Sequence, residues 1–255
     1  TLDEALRRVG NEFGVEFSAE PTLRSWDTAV VAYAVDDRAA SRRLGVLYFD
    51  LYRRPGKAAQ DAAVAILRPR ADHPGIVAVL ADWPPNRKSR PSLEERRLDA
   101  LFSDLGKAMS LLLPATPYES LNAPSIEAEQ LDGALFEQLA AFLDGRANPA
   151  FDFTTAIAAA RTDLEVHSTG PRVDAAAVPQ VVRDDLMNGW DVRLYVRPWA
   201  ERYAEKLFAA FTADGTLDEE AGMRYRSEIL SPARRFSLAT EVSAFLRTPA
   251  QLDMP

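Results

Sequence analysis

The hydrophobic positions in the first third of the chain change from a helical to an extended spacing. Leu6, Val9 and Phe13 recur every three or four residues, which predicts a helix over 2–13 that ends at Gly14. Short apolar runs follow, rich in residues that favour strands, over 29–35, 44–52, 62–67 and 76–80. The pattern predicts one helix followed by a small mixed or antiparallel sheet of about four strands.

Beyond a proline-rich, basic stretch at residues 83–91, the apolar spacing becomes helical. Ser92, followed by Glu95, forms a capping box that predicts a helix start, and Pro114 ends that helix. Its predicted buried face is a row of residues spaced three or four apart: Leu98, Leu101, Phe102, Leu105, Met109 and Leu112. Further helices are predicted over 125–143, 154–164, 178–211, 217–230 and 236–246, with a kink or division at Pro198.

These patterns predict an α+β fold that is mainly helical, with the sheet in the first third. We expect a single domain over residues 1–255. Within it, a helix and the sheet form one lobe over 1–82, and the helices form a second lobe over 92–255. The stretch 83–91 has similar composition on both sides, so we interpret it as a surface loop.

Composition excludes several classes of function. The chain has 255 residues, and 30 basic against 38 acidic side chains give it a net charge of −8. This balance argues against nucleic-acid binding, which needs a basic footprint. No apolar run reaches the length of a membrane span, so we predict no membrane insertion. The chain has no cysteine, which excludes thiolate metal sites.

The residues taken alone do not define a catalytic site. The glycine-rich motifs that bind phosphates are missing from the sequence. A serine–histidine–acid arrangement built on His73 or His167 stays open, although both lie in turn-like contexts. A metal site of carboxylates alone also stays open, although acidic runs such as Asp184-Asp185 are typical of solvated faces. Aromatic residues such as Trp190 and Tyr195 are packing residues or, alternatively, line a substrate groove.

Several segments resemble the later, catalytic part of the thimet oligopeptidase family of zinc metallopeptidases. The resemblance covers nearly the whole chain, and the mitochondrial intermediate peptidase branch is the most similar, through Gln60-Asp61. The family's large helical region, which forms the opposite wall of its substrate channel, has no counterpart here. The resemblance implies a zincin-like helical bundle after the sheet. It is carried by residues 13–17, 44–52, 53–57, 221–226 and 245–247.

The zinc motif of the family is altered in this chain. Residues 101–109 read Leu-Phe-Ser-Asp-Leu-Gly-Lys-Ala-Met, where the family has Leu-Phe-His-Glu-Phe/Met-Gly-His-Ala-Met/Leu. In the family, the two histidines bind zinc and the glutamate serves as general base. The resemblance places Ser103 and Lys107 at the ligand positions and Asp104 at the position of the base. A hydroxyl is a poor zinc ligand, and an ammonium repels the cation.

Two further family regions are altered. Pro124-Ser125-Ile126 resembles the family's Pro-Ser-Ile, which places Asn122 where the family has its third, glutamate ligand. Part of the family's substrate-binding loop is missing just before Asn122. Residues 189–195 resemble the family's closing region, and there Leu186 replaces a histidine while Leu194 and Arg197 replace two tyrosines.

From this resemblance we predict no catalytic, cofactor-binding or metal-binding residues and no enzyme activity. The first hypothesis is a non-catalytic pseudo-metallopeptidase that serves as a structural or accessory subunit of a larger protein assembly. We expect it to form hetero-oligomers in the mitochondrial matrix or, failing that, in the cytoplasm. The alternative is a non-cleaving peptide-binding module or regulatory partner of an active oligopeptidase. A third hypothesis is a true enzyme of different chemistry, or a half-peptidase completed in trans.

Overall fold

The first helix and the turn after it contact the last third of the described chain. The computed structural model describes residues 2–84, 95–114, 116–148, 150–168, 192–212, 215–232 and 237–246. Helix α1 (Leu2–Phe13) buries the predicted face, including Leu6 and Phe13. Gly14 ends it with a φ of +62°, which favours glycine, and a Cβ there would lie 2.3 Å from the Met223 sulfur. The Met223 side chain of the last third of the chain therefore packs directly against this glycine.

The sheet has five strands in the order β1-β2-β3-β5-β4. The strands are β1 (Val15–Ala19), β2 (Val31–Asp37), β3 (Arg42–Tyr52), β4 (Ala62–Leu67) and β5 (Gly75–Trp83). Strands β3 and β5 are parallel, and the other neighbouring pairs are antiparallel. The mixed sheet is confirmed, but the prediction lacked β1. This edge strand buries only Val15 fully, so it carries no continuous apolar signal.

The helices after the sheet pack in a second layer. They are α2 (Glu95–Leu112), α3 (Ile126–Leu143), α4 (Phe153–Ser168), α5 (Val196–Phe211), α6 (Glu219–Tyr225) and α7 (Leu238–Phe245). Helix α2 packs on strands β4 and β5 and on α3, and α3 packs in turn on α5. The buried residues of the sheet and of these helices form one hydrophobic core. The α+β, mainly helical class is therefore confirmed, whereas the two-lobe division stays a prediction.

Helix boundaries follow the capping and proline signals where these lie in the described residues. Ser125 caps α3, and its Oγ accepts from the backbone N–H of Ala128 at 3.4 Å. Pro198 lies in the first turn of α5, where a missing N–H costs nothing, and residues 192–195 form turns before it. The chain is thus divided just before Pro198. Ser92 of the capping box lies outside the described residues.

The last third of the chain returns to α1. Helix α6 continues into a π-helical turn (Arg226–Leu230), a wider form of helix that often occurs at functional or strained positions. The Arg226 guanidinium donates to the backbone carbonyls of Phe13 and Gly14 at 3.1 and 2.8 Å. It also forms an ion pair with Asp37 of β2. One buried side chain therefore connects the sheet, α1 and the end of the helical layer.

None of the helices that the structure describes is long and apolar enough to cross a lipid bilayer.

Candidate functional site

The altered motif lies on α2 at its closest approach to α3. A Cβ at Gly106 would lie 2.3 Å from the backbone oxygen of Asp132 on α3, so only glycine fits. A Cβ at Gly133 of α3 would lie 2.9 Å from Ser103 Oγ and 3.0 Å from Lys107 Cε. Two glycines facing opposite helices therefore bring the backbones together at the motif. Ser103 and Lys107, four residues apart, lie on one face of α2 and line the same cavity.

Lys107 and Asp104 form an ion pair within α2. The Lys107 ammonium donates to Asp104 Oδ1 at 3.0 Å, and the Asp104 residue is only 3% exposed. Burial raises the pKa of the Asp104 carboxyl, and the nearby Lys107 charge opposes that rise. The base position of the family motif thus holds a carboxylate whose partner is the ammonium at the second ligand position.

Asn122 is a structural residue in this fold. It is 1% exposed, and its Nδ2 donates to the carbonyls of Pro69 and Thr116 at 2.8 and 3.0 Å. Its Oδ1 accepts from the backbone N–H and the Oγ1 of Thr116, at 3.0 and 2.8 Å. These four bonds use the full hydrogen-bonding capacity of the amide and connect the segment before β5 to the turn before α3.

The residues at the three ligand positions do not fit a zinc ion. Zinc in proteins takes imidazole, thiolate or carboxylate ligands. These positions hold a hydroxyl, an ammonium bound to a carboxylate, and an amide with all its hydrogen bonds made. Within the described ranges, no group of three or more histidine, cysteine, aspartate or glutamate side chains is close enough to hold a metal ion. We therefore derive no catalytic step through zinc.

The two histidines lie on different elements. His73 is in the turn before β5, and its Nδ1 lies 3.3 Å from the carbonyl of Pro74. His167 is in the last turn of α4, and its Nδ1 lies 3.0 Å from Oδ1 of the buried Asp163. The Asp163 carboxylate also accepts the backbone N–H groups of Val192 and Leu194 at 2.9 and 3.1 Å. Asp163 therefore fixes the start of the α5 segment on α4. His167 contacts the backbone carbonyl of Asp163 at 2.8 Å, and it lies in a helix and not in the expected turn-like context.

The largest cavity that we describe lies between α2, α3, α4 and α5 and has a volume of about 650 Å³. Its wall combines Ser103 and Lys107 of the motif with Glu137 of α3 and with Arg197 and Glu201 of α5. Volumes of this size are typical of small-molecule and cofactor sites. The structure thus brings together the motif positions and Arg197, all of which were singled out in the sequence.

Two carboxyl groups of this cavity have raised pKa values. Burial, together with the neighbouring Glu137 carboxylate, raises the pKa of Glu201 to about 7, against the opposing charge of Arg197. Burial likewise raises the pKa of Glu137, and the carboxylate of Asp99 adds to the effect. Sequence reasoning missed both residues. The available signal concerned Glu137 alone, which with Gln138 interrupts the otherwise apolar run 134–143 of α3.

Of the tyrosines singled out in the sequence, one lies in the core and one lies at the exposed start of α5, which we call the rim. Tyr225 is fully buried, and its hydroxyl donates to Asp132 at 2.6 Å. Tyr195 is exposed, and its hydroxyl donates to Glu127 of α3 at 2.7 Å, which raises the pKa of the tyrosine. Tyr195 therefore connects the start of α5 to the start of α3. Other positions singled out in the sequence lie outside the described residues: 87–90, 184–185, Leu186, Trp190 and Arg247.

Comparison with known proteins gives the class of protein directly. The model of peptidase family M3 matches residues 6–140, which is more than half of the chain. The thimet-like oligopeptidase of Dictyostelium discoideum is 24% identical over 276 aligned residues. That alignment covers 85% of this chain and 41% of that protein, so the chain spans less than half the length of this relative. The chain belongs to peptidase family M3, and the expected relation to the thimet oligopeptidases is confirmed.

The prediction that the chain is not an enzyme is wrong on these findings. Both the family match and the relation to an oligopeptidase point to a peptidase. The prediction rested on three altered ligand positions, the altered base, the altered closing region and the missing channel wall, and each of these is only an absence. The three ligand positions concern only the activation of water by zinc. The cavity beside them contains other titratable groups, Glu137 and Glu201.

Proposed function

We propose that this chain acts on short peptides as part of an M3-type peptidase, and that the cavity between α2, α3, α4 and α5 holds the peptide. The observation that carries the proposal is the position of the cavity. It opens on the face of α2 that carries Ser103 and Lys107, the two motif positions of the family. Its volume of about 650 Å³ suits a peptide segment of a few residues.

The cavity also offers the mixed chemistry that a peptide needs. Phe151 supplies an apolar surface, and the Arg197 guanidinium lies 5.6 Å from the centre of its ring. Ser103 and Gln130 add groups that donate and accept hydrogen bonds, which a peptide backbone requires. The close packing of α2 on α3 at the motif supports a zincin-like bundle as the finer description of these helices.

Completion of the active site by further protein is part of this proposal. The three motif positions hold no zinc ligand, so the groups that complete the reaction would come from other residues or from a second subunit. Hetero-oligomer formation and a place in the mitochondrial matrix rest on the resemblance described above. Light scattering on a native preparation, with identification of every chain present, tests the first, and organelle fractionation tests the second.

A pair of variants on α4 tests peptide binding in the cavity. Ala159 lines the cavity, whereas its neighbour Ala158 is exposed on another face of the same helix. Ala159→Trp fills the cavity with an indole ring, and Ala158→Trp is the matched control. We expect fluorescence anisotropy with a labelled pentapeptide to show binding that Ala159→Trp weakens about tenfold or more. Ala158→Trp should bind like the parent protein.

Peptide turnover is measured on the same proteins with an internally quenched peptide, with and without a chelator. Turnover that falls in Ala159→Trp and not in Ala158→Trp supports the proposal in either condition. The chelator arm shows whether any activity depends on a metal ion. Equal peptide binding by both tryptophan variants would mean that the peptide does not lie in this cavity.

A further inference from the structure

The wall of the cavity formed by α3 and α5 carries an acceptor without a partner. Gln138 is 6% exposed, and its side-chain oxygen accepts no hydrogen bond from any described residue. It lines a small recess of about 70 Å³. Every other residue that lines the recess also lines the main cavity, so the two share one wall. An unsatisfied buried acceptor costs free energy, so this oxygen is ready to accept a hydrogen bond from a donor that enters the recess.

Two carboxylates stand on the same wall. Glu137 precedes Gln138 on α3, Glu201 projects from α5, and both line the recess and the main cavity. They are close enough that the charge of Glu137 disfavours ionisation of Glu201. We call Glu137, Gln138 and Glu201 the acceptor wall.

The cations near the acceptor wall are engaged with other groups. Lys107 donates to Asp104 at 3.0 Å, and Arg146 forms an ion pair with Asp99 at 2.5 Å. Arg197 lies over the ring of Phe151 and acts on Glu201 only through its charge. In the part of the chain that the structure describes, no ion pair to Glu137 or Glu201 is formed.

We propose that the acceptor wall binds a positively charged nitrogen group of a peptide, either an ammonium or a guanidinium. The inference rests on the proposed function, and it specifies the class of peptide. Ammonium and guanidinium groups carry three and five N–H donors and no acceptor, so they match two carboxyl groups and an amide oxygen without a partner among the described residues. Hydrogen bonds between ionised partners are also the stronger ones, which makes this wall selective.

Raised carboxyl pKa values agree with such a ligand. The groups that face Glu201 are Glu137 from α3, Lys107 from α2, Asp152 before α4, and Arg197 and Glu205 on its own helix. With no cation bound, burial and the carboxylates of Glu137 and Glu205 raise the pKa of Glu201 to about 7, so part of the Glu201 population holds a proton near neutral pH. A bound cation favours the ionised form, so binding near neutral pH should release protons.

The test measures the affinity of the full chain for a set of labelled pentapeptides by fluorescence anisotropy. The parent probe is N-acetylated, C-amidated, and carries one central lysine among alanines. A second probe replaces the lysine with norleucine, which keeps the stem and removes the charge. Two more probes carry arginine or the neutral citrulline, and the last is the norleucine peptide with a free amino terminus. We expect each charged probe that fits the wall to bind about tenfold or more tightly than its neutral match.

Variants of the acceptor wall identify where the preference arises. Glu201→Gln, Glu137→Gln and Gln138→Leu should each reduce the ratio of lysine to norleucine affinity by at least about threefold. Glu205→Gln removes the same charge from an exposed position that lines neither the cavity nor the recess, so it should reduce the ratio less than any of the three wall variants. Gln138→Leu changes no charge, so it separates the loss of an acceptor from a change in the general field.

The outcomes separate this inference from the proposed function. Lysine and norleucine peptides that bind equally, or a ratio that the wall variants leave unaltered, overturn the inference while peptide binding itself stands. If no peptide binds at all, the proposed function fails first. A preference only for the free amino terminus supports the inference and identifies the α-ammonium as the group bound. A preference for lysine or arginine identifies a side chain instead.

Discussion

The α2 side of the cavity and the α3–α5 side differ in whether their polar groups have partners within the chain. On the α2 side, Lys107 is bound to Asp104. Asn122, the third altered position, lies outside the cavity lining and makes four hydrogen bonds within the chain. On the α3–α5 side, the acceptor wall presents two carboxylates with raised pKa values and an amide oxygen without a partner.

This difference distinguishes polar groups that stabilise the fold from polar groups that are available to bind a ligand. A polar group with its partner inside the chain is satisfied as soon as the chain folds, so its removal should cost folding free energy. An acceptor that the folded chain leaves unsatisfied gains its partner from water or from a ligand. We therefore expect substitutions on the α2 side to reduce stability, and substitutions on the α3–α5 side to change ligand preference and to leave stability equal or higher.

The largest expected effect concerns the contact between α2 and α3, which supports both sides of the cavity. In Gly106→Ala the new methyl group would lie 2.3 Å from the backbone oxygen of Asp132, which cannot rotate away as a side chain would. We expect a loss of about 3 kcal/mol in the free energy of unfolding, measured with urea. Gly133→Ala is the matched control on α3, since its nearest contacts are the ends of the Ser103 and Lys107 side chains. A loss as large for Gly133→Ala would contradict this reading of the interface.

The second prediction concerns the ion pair between Lys107 and Asp104. Without the lysine, the α2 side would hold a carboxylate without a partner in the described chain, as the α3–α5 side does. Lys107→Met removes the cation beside Asp104 and leaves a buried carboxylate without it. We expect a loss of about 2 kcal/mol at neutral pH. Because burial raises the pKa of Asp104, its proton returns as the pH falls, and the loss should shrink in acid.

The double variant Asp104→Asn/Lys107→Met is the control for this pair. It removes both charges together, so it should recover most of the stability that Lys107→Met loses. Urea unfolding at neutral and at acid pH measures all three proteins. A double variant as unstable as Lys107→Met would show that the lysine stem, and not its charge, carries the effect.

The sequence predicted what depends on local pattern. The apolar rows of α1 and α2 and the central strands were correct, because each buries one continuous face. The spacing of Ser103 and Lys107 correctly placed them on one helix face. Strand β1 was missed because an edge strand with a single fully buried residue resembles a loop.

What the sequence did not reveal depends on packing between distant elements. Glu137 and Glu201 are far apart along the chain, and only the packing of α3 on α5 places them on one wall. Asn122 was interpreted as an altered ligand, and its four bonds to Pro69 and Thr116 became evident only in the folded chain. The unsatisfied oxygen of Gln138 likewise has no signature in the sequence.

The third prediction is that a substitution in the acceptor wall increases the free energy of unfolding, whereas the substitutions on α2 reduce it. The pKa of Glu201 is raised from 4.5 to about 7, so the folded state holds its proton more tightly than the unfolded chain does. Glu201 therefore contributes most stability below about pH 4.5, and that contribution is lost as the pH rises through about 7. Glu201→Gln should be about 1–2 kcal/mol more stable than the parent protein at about pH 8 and nearly equal to it at about pH 4.

Glu205→Gln is the matched control for that experiment. Glu205 is exposed and forms an ion pair with Arg202 at 2.9 Å, so its removal should change stability by about 0.5 kcal/mol or less at either pH. Thermal unfolding across the pH range measures both variants. A loss of stability in Glu201→Gln at high pH would mean that the carboxylate has a partner inside the fold, and the contrast between the two sides would fail.

The smallest expected effect concerns the rim that joins α5 to α3. Tyr195 is exposed and donates to Glu127 at 2.7 Å, and such bonds between exposed side chains contribute little because water replaces them. Tyr195→Phe should reduce the free energy of unfolding by about 0.5 kcal/mol or less. The lysine-to-norleucine affinity ratio should not change, because Tyr195 does not line the cavity or the recess. A changed ratio would extend ligand recognition from the acceptor wall to the rim, and would make the start of α5 part of the site.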